Sequence, residues 1–157
     1  MHLRLFLMLL LPASLVAQQP RDSLIVDVDG AITVFHTLSD MMHDTVTATF
    51  HEGRAQRYSG VPLRTVLARA GADVAHLRGA ALAQYVIVEA KDGYRVTFGV
   101  AALDTSLVGE RVLLADGVDG GPLAEAEGRW RLVVVGDHGA ARSARLVAAI
   151  RLRRVQP

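Results

Sequence analysis

The sequence predicts a mostly-β domain of the α+β class, and three observations carry that expectation. Short runs of alternating β-branched and apolar residues recur along the chain, separated by turns rich in glycine and aspartate. Only one segment, Pro62 to Gly71, combines helical periodicity with clear start and stop residues. Strands and helices do not alternate regularly, which argues against βαβ repeats. At 157 residues the chain has room for one domain with a core of its own, and no internal repeat is visible.

Taken in order, Leu24–Gly30 and Ala31–Phe35 read as two strands around Asp29-Gly30, a dipeptide that suits a tight hairpin. Thr37–His43 reads as a short helix capped by Thr37 or Ser39, with Leu38 and either Met41 or Met42 turned inward. Thr45–Phe50 alternates as a strand, His51–Arg54 turns, and Ala55–Ser59 returns as its partner. The helix at Pro62–Gly71 places proline in the first turn and Leu63, Val66, Leu67 and Ala70 on one face, with glycine at its end. A short helix or turn is expected within the alanine-rich residues 73–83. Tyr85–Ala90 and Tyr94–Phe98 form a hairpin through Lys91-Asp92-Gly93, and Val100–Asp104 makes one helical turn. Arg111–Ala115 is a strand, residues 116–121 a glycine-rich loop, and Arg129–Val135 a further strand. Leu146–Val155 closes the series, with Ile150 and Leu152 facing one way and Arg151, Arg153 and Arg154 forming a solvated face.

The first residues, MHLRLFLMLLLPASLVA, place Arg4 before an apolar run from Leu5 to Leu11, then Pro12 and small residues up to Ala17. That is the layout of a signal peptide, with an apolar run shorter than the ~20 residues of a permanent span. The expected division is residues 1–17 as signal peptide, 18–29 as spacer and first strand, and 30–157 as the domain, in a periplasmic or secreted protein. Cleavage after Ala17 removes one basic residue and no acidic one, leaving 16 of each. Formal neutrality and a low aromatic content argue against nucleic-acid binding. The chain contains no cysteine, so it has no thiolate nucleophile, thiolate ligand or disulfide.

The sequence of pieces Tyr58-Ser-Gly-Val-Pro-Leu-Arg-Thr-Val-Leu67, Tyr85-Val-Ile-Val-Glu89, Asp92-Gly-Tyr-Arg-Val96, Val112-Leu-Leu-Ala-Asp116, Gly121-Pro-Leu123 and Gly128-Arg-Trp-Arg-Leu-Val-Val-Val-Gly-Asp137, with Ala141-Arg142 before the last strand, resembles the sulfite-oxidase-type molybdopterin-binding domain. Its small exported bacterial members are the nearest in kind, and the resemblance runs over roughly residues 30–154. It implies a compact α+β fold, a molybdenum-carrying pterin cofactor and oxo-transfer oxidoreductase chemistry. A fold alone does not guarantee that chemistry.

The resemblance also marks two departures. Catalytic members hold molybdenum through a cysteine just after a strand, and that place corresponds here to Phe50-His-Glu-Gly53, with His51 at the ligand position. A neutral imidazole does not replace a soft thiolate on high-valent molybdenum. Members that load the cofactor before export usually carry a twin-arginine signal, whereas this leader has Arg4 alone. The expectation is a family domain with a degenerate active site, either a pterin-binding oxidoreductase relative or a non-catalytic binding or interaction module.

The candidate cofactor-binding residues lie in Val133-Val-Val-Gly-Asp-His-Gly-Ala-Ala-Arg-Ser-Ala-Arg-Leu-Val147. Gly136 and Gly139 let the backbone turn close to a ligand, while Arg142 and Arg145, three apart, are able to share a face toward an anion. The resemblance places this loop near the pterin, with Arg142 set to meet its phosphate and His138, Gly139, Ser143 and Arg145 around it. No metal site is expected from His36, His43, His51, His76 and His138, which show no ligand spacing on one element. His51 is the one candidate for acid–base work.

Overall fold

The computed structural model describes residues 22–50, 53–108, 111–137 and 139–155. Two sheets share the core. In the first, β1 (Leu24–Val28) and β2 (Ala31–Phe35) form the expected hairpin, with Asp29 and Gly30 at φ 49° and 97°. That left-handed pair is the reason the turn uses Asp-Gly. β5 (Gln84–Ala90) and β6 (Arg95–Gly99) form the second hairpin, and β10 (Val147–Arg154) lies between the two, giving the order β2-β1-β10-β5-β6. β10 runs antiparallel to β5 and parallel to β1.

The second sheet contains β3 (Asp44–Ala48), β4 (Gln56–Pro62), β7 (Arg111–Val118) and β9 (Arg131–Val135), with the two-residue β8 (Gly121–Pro122) beside the end of β7. β4 shifts register against β7 between Ser59 and Gly60, where a Cβ on Gly60 would lie 2.2 Å from the Leu114 carbonyl oxygen. Only glycine permits that approach. The bulge bends the sheet, and its outer strands β3 and β9 meet. The curl gives this sheet two buried faces. Val61, Val112, Leu114, Leu132 and Val134 join the main core with the helix α1 (Leu63–Arg69) and the first sheet. Val46, Tyr58, Leu113, Ala115 and Val133 fill a second, smaller core inside the curl.

α1 matches its expected segment, with Leu63, Val66 and Leu67 fully buried. Three elements depart from expectation. Residues 37–43 are turns, not a helix: the Thr37 hydroxyl accepts the Ser39 amide at 3.2 Å, a local bond that competes with helix formation. Leu38 and Met41 still point inward, and Met42 is exposed. The expected loop at 116–121 is instead the continuation of β7 to Val118 and its hairpin with β8 through Asp119-Gly120. The arginines of β10 are not simply solvated, because Arg151 and Arg153 bridge to Asp27 on β1 and Arg151 also to Glu89 on β5. Residues 79–82 and 100–103 are 3₁₀ turns. The signal-peptide expectation falls on residues outside the described ones.

Candidate functional site

Arg131 begins β9, and the side chains two and four positions on, Val133 and Val135, point into the small core of the curled sheet. Strand alternation therefore turns Arg131 inward too, and it is only 6% exposed. Its guanidinium lies 4.1 Å from the centre of the Phe50 ring and 5.3 Å from that of Tyr58. Cation–π attraction of this kind strengthens as water is removed. Nη1 donates to the Glu127 carboxylate and, at 3.4 Å, to the Tyr58 hydroxyl. Nε is buried with no hydrogen-bond partner among the described residues. Burial lowers the Arg131 pKa from its ordinary value, yet the group stays cationic because the ordinary value is so high.

This guanidinium forms one wall of an open cleft of about 630 Å³ at one end of the curl. Phe50 comes to it from the end of β3 and Gln56 from the start of β4; Gln56 accepts the Tyr58 hydroxyl at 2.9 Å. Asp92 and Tyr94 come from the β5–β6 turn, and the Tyr94 hydroxyl donates to the Ala141 carbonyl at 2.5 Å, tying that turn to the loop opposite. Glu127 comes from the 3₁₀ turn at 125–127. Residues 139–141 and 143–145 complete the rim. Two cations, Arg131 and Arg145, thus face two carboxylates, Asp92 and Glu127.

The candidate loop divides between the cleft and its support. Gly139, Ser143 and Arg145 line the cleft. Ser143 is buried, and its Oγ accepts the Val134 amide at 3.1 Å, so it fastens the loop to β9. Arg145 precedes Leu146, a non-glycine residue at φ 55° whose amide donates to the Glu127 carbonyl and whose carbonyl accepts the Lys91 amide. These two bonds hold a strained backbone at the rim. Arg142 is not among the lining residues. Its Nε donates to Asp137 Oδ2 at 3.0 Å, its Nη2 donates to Oδ1 of the same carboxylate, and its guanidinium lies 5.4 Å from the Phe98 ring centre. Residues 139–146 are not helical, so the three-residue spacing does not put Arg142 and Arg145 on one face. His51 and His138 lie outside the described residues. No three His, Asp or Glu side chains converge as a metal site among the described residues.

Sequence reasoning missed Arg131. Arg129-Trp-Arg131 alternates as though both arginines were solvent-facing, and only the curl makes the Arg131 side an interior. The available signal was a cation directly heading the apolar run Leu132–Val135.

A family model described as the oxidoreductase molybdopterin binding domain matches residues 29–157. The chain belongs to this family. Its fold resembles that of the sulfane dehydrogenase SoxCD from Paracoccus pantotrophus, with a TM-score of 0.69 and 19% sequence identity over 89% of this chain and 41% of that one. This chain therefore spans less than half the length of that one. No curated protein matches it significantly.

The family's cofactor makes two separate demands on a member. Molybdopterin offers a flat ring to stack, an edge whose 2-amino group and ring N3–H donate a pair of hydrogen bonds to a carboxylate, and a phosphate for an arginine fork. Among the cleft residues, Phe50 is a ring, Asp92 and Glu127 are carboxylates, and Arg131 and Arg145 are cations, the kinds of group that these features take. A thiolate ligand for molybdenum is the other demand, and a chain without cysteine does not meet it.

Proposed function

We propose that this family member is an exported binding module that holds an anionic, pterin-type ligand in the Arg131 cleft and performs no oxo transfer at a cysteine-ligated molybdenum. The buried, unpartnered Arg131 Nε carries the reading. Leaving a charged donor unsatisfied out of water costs free energy, and a ligand acceptor at that position recovers it. Arg145 and the backbone near Gly139 supply further contacts at the open rim, Phe50 a ring to stack on, and Asp92 a carboxylate for the 2-amino and N3–H donors. Ser143 and Arg142 act as supports: the first pins the loop to β9, the second braces it against Asp137. His51 and His138, which adjoin Phe50 and Gly139 in the sequence, stay with the proposal as candidates on sequence grounds alone.

The family's chemistry supplies the competing reading, a molybdopterin-dependent oxidoreductase that lacks the cysteine molybdenum ligand. Both readings share residues 30–157 as the domain and residues 1–17 as a leader toward the periplasm or beyond. Elemental analysis of protein isolated from its own host separates them: stoichiometric molybdenum would favour the oxidoreductase. For the ligand itself, titration with pterin-6-carboxylate, read by quenching of its fluorescence, is expected to saturate. Arg145→Gln should weaken binding by about tenfold, as expected for losing one charge-assisted contact. No saturable quenching would overturn the cleft as a pterin site.

A further inference from the structure

At the opposite end of the curled sheet lies a second cavity of about 330 Å³. Its place follows from strand direction. Phe50 lies two residues past the end of β3, at the Arg131 end, whereas this cavity takes Asp44 and Val46 from the first half of β3 and Arg111 from the beginning of β7. Arg111 pairs in register with Val135, at the far end of β9 from Arg131. The floor is apolar: Val46 and Leu113 belong to the small core, and Leu103 to the main one. The rim is charged. Arg111 Nη2 donates to Asp44 Oδ2 at 2.6 Å, and Arg64 Nη1 donates to the Thr105 hydroxyl at 2.8 Å. Asp44 feels both guanidinium groups, and its pKa is lowered chiefly by the hydrogen bond from Arg111.

We propose that this cavity is a second ligand site, for a small monoanionic carboxylate with a compact apolar body. Two arginines against one aspartate leave a single positive charge at the mouth, which one carboxylate matches. The volume is at the lower end of the range for small-molecule sites, enough for one ring or a short branched chain. The apolar floor selects against inorganic anions, which would leave it uncovered, and the arginines select against neutral and cationic molecules of the same shape. Arg64 and Arg111 come from different elements, α1 and β7, so a carboxylate bound between them would join the helix to the sheet.

The proposal is independent of the pterin reading, since the two sites share no lining residue. Titration of the ¹⁵N-labelled protein with benzoate tests it. Saturable amide shifts confined to residues 44–46, 63–64, 103–105 and 111–113 are expected. Benzyl alcohol, benzylamine and inorganic phosphate should each bind about tenfold more weakly or not at all. Arg64→Gln, which leaves the Arg111–Asp44 pair in place, should lower benzoate affinity about fivefold with an unchanged melting temperature, and Arg111→Gln should lower it at least as much. Benzoate shifts that never saturate, or that centre on residues 92–94 and 139–145, would overturn the proposal. Equal binding of benzyl alcohol or of phosphate, or full affinity in both variants, would do the same.

Discussion

Two arginine–carboxylate groups in this protein are built from similar parts and end differently. On the outer face of the first sheet, Asp27 is 5% exposed and its two oxygens accept hydrogen bonds from Arg153, Arg151 and the Gly30 amide, while Glu89 takes Arg151 and Arg95. In the cleft, Glu127 takes one nitrogen of Arg131, the aromatic rings take its face, and Nε is left over. The outer group is closed on itself, as a structural clamp between β1, β10 and β5 should be. The cleft group is incomplete, with one buried donor left unmet, the feature on which the proposed ligand site rests. Burial and charge alone do not distinguish the two; the count of unmet donors does.

Breaking the two groups should separate them further. Arg131→Met leaves the Glu127 carboxylate without its cation in a poorly hydrated place and is expected to cost about 3 kcal/mol of stability in urea unfolding. Adding Glu127→Gln should recover most of that loss, since the stranded charge is the main cost, but it should not recover pterin-6-carboxylate binding. A double variant that stays as unstable as the single one would show that Arg131 is held by packing on Phe50 and Tyr58 instead.

The clamp should show itself in acid. Hydrogen bonding from Arg153, aided by Gly30 and Arg151, holds the Asp27 pKa at about 2, below its ordinary 3.8. A depressed carboxylate stabilises the fold fully above its unfolded pKa and loses that contribution as pH falls from 3.8 toward 2. Asp27→Asn is expected to cost about 1–2 kcal/mol at pH 7 and to flatten the pH dependence of stability in that window. Equal slopes for the two proteins would remove the clamp.

A third pair gives the smallest effect. His43 Nε2 lies 3.0 Å from Asp116 Oδ2 and Nδ1 lies 3.0 Å from the Met41 carbonyl oxygen, so the ring is best served as a double donor. Asp116 foremost, with the Met41 carbonyl, raises the His43 pKa above its ordinary 6.5. The stabilisation is therefore complete below 6.5 and is lost as pH rises through the folded value. Because the pair is partly exposed, Asp116→Asn should remove less than about 1 kcal/mol, visible as a lower melting temperature at pH 5.5 and little change at pH 8.5.

The clamp and the cleft were not equally legible in the sequence. Asp29-Gly30, Lys91-Asp92-Gly93 and the Pro62–Gly71 periodicity are local signals, and they lead directly to two hairpins and α1. The turns at 37–43 depart from a helical reading because Thr37 and Ser39 bond to each other instead of capping one. The alternation of β10 is visible in sequence, but its partner Asp27 lies more than a hundred residues away and is fixed only by parallel pairing with β1. Arg131 was hidden for a related reason: which face of a strand is interior depends on how its sheet curls. The family resemblance pointed to the loop at 139–145 and to Arg142, and the structure gives Arg142 a carboxylate of its own.

The parallel pairing of β1 with β10 also bears on when the protein can fold. β1 and β2 reach the rest of their sheet only through β10, the last strand made. Until residues 147–154 are available, the first hairpin has no neighbour and Asp27 no arginine from β10. Pairing of the first hairpin with the rest of the main sheet therefore waits for residues 147–154, while the β5–β6 hairpin and the second sheet pair within themselves.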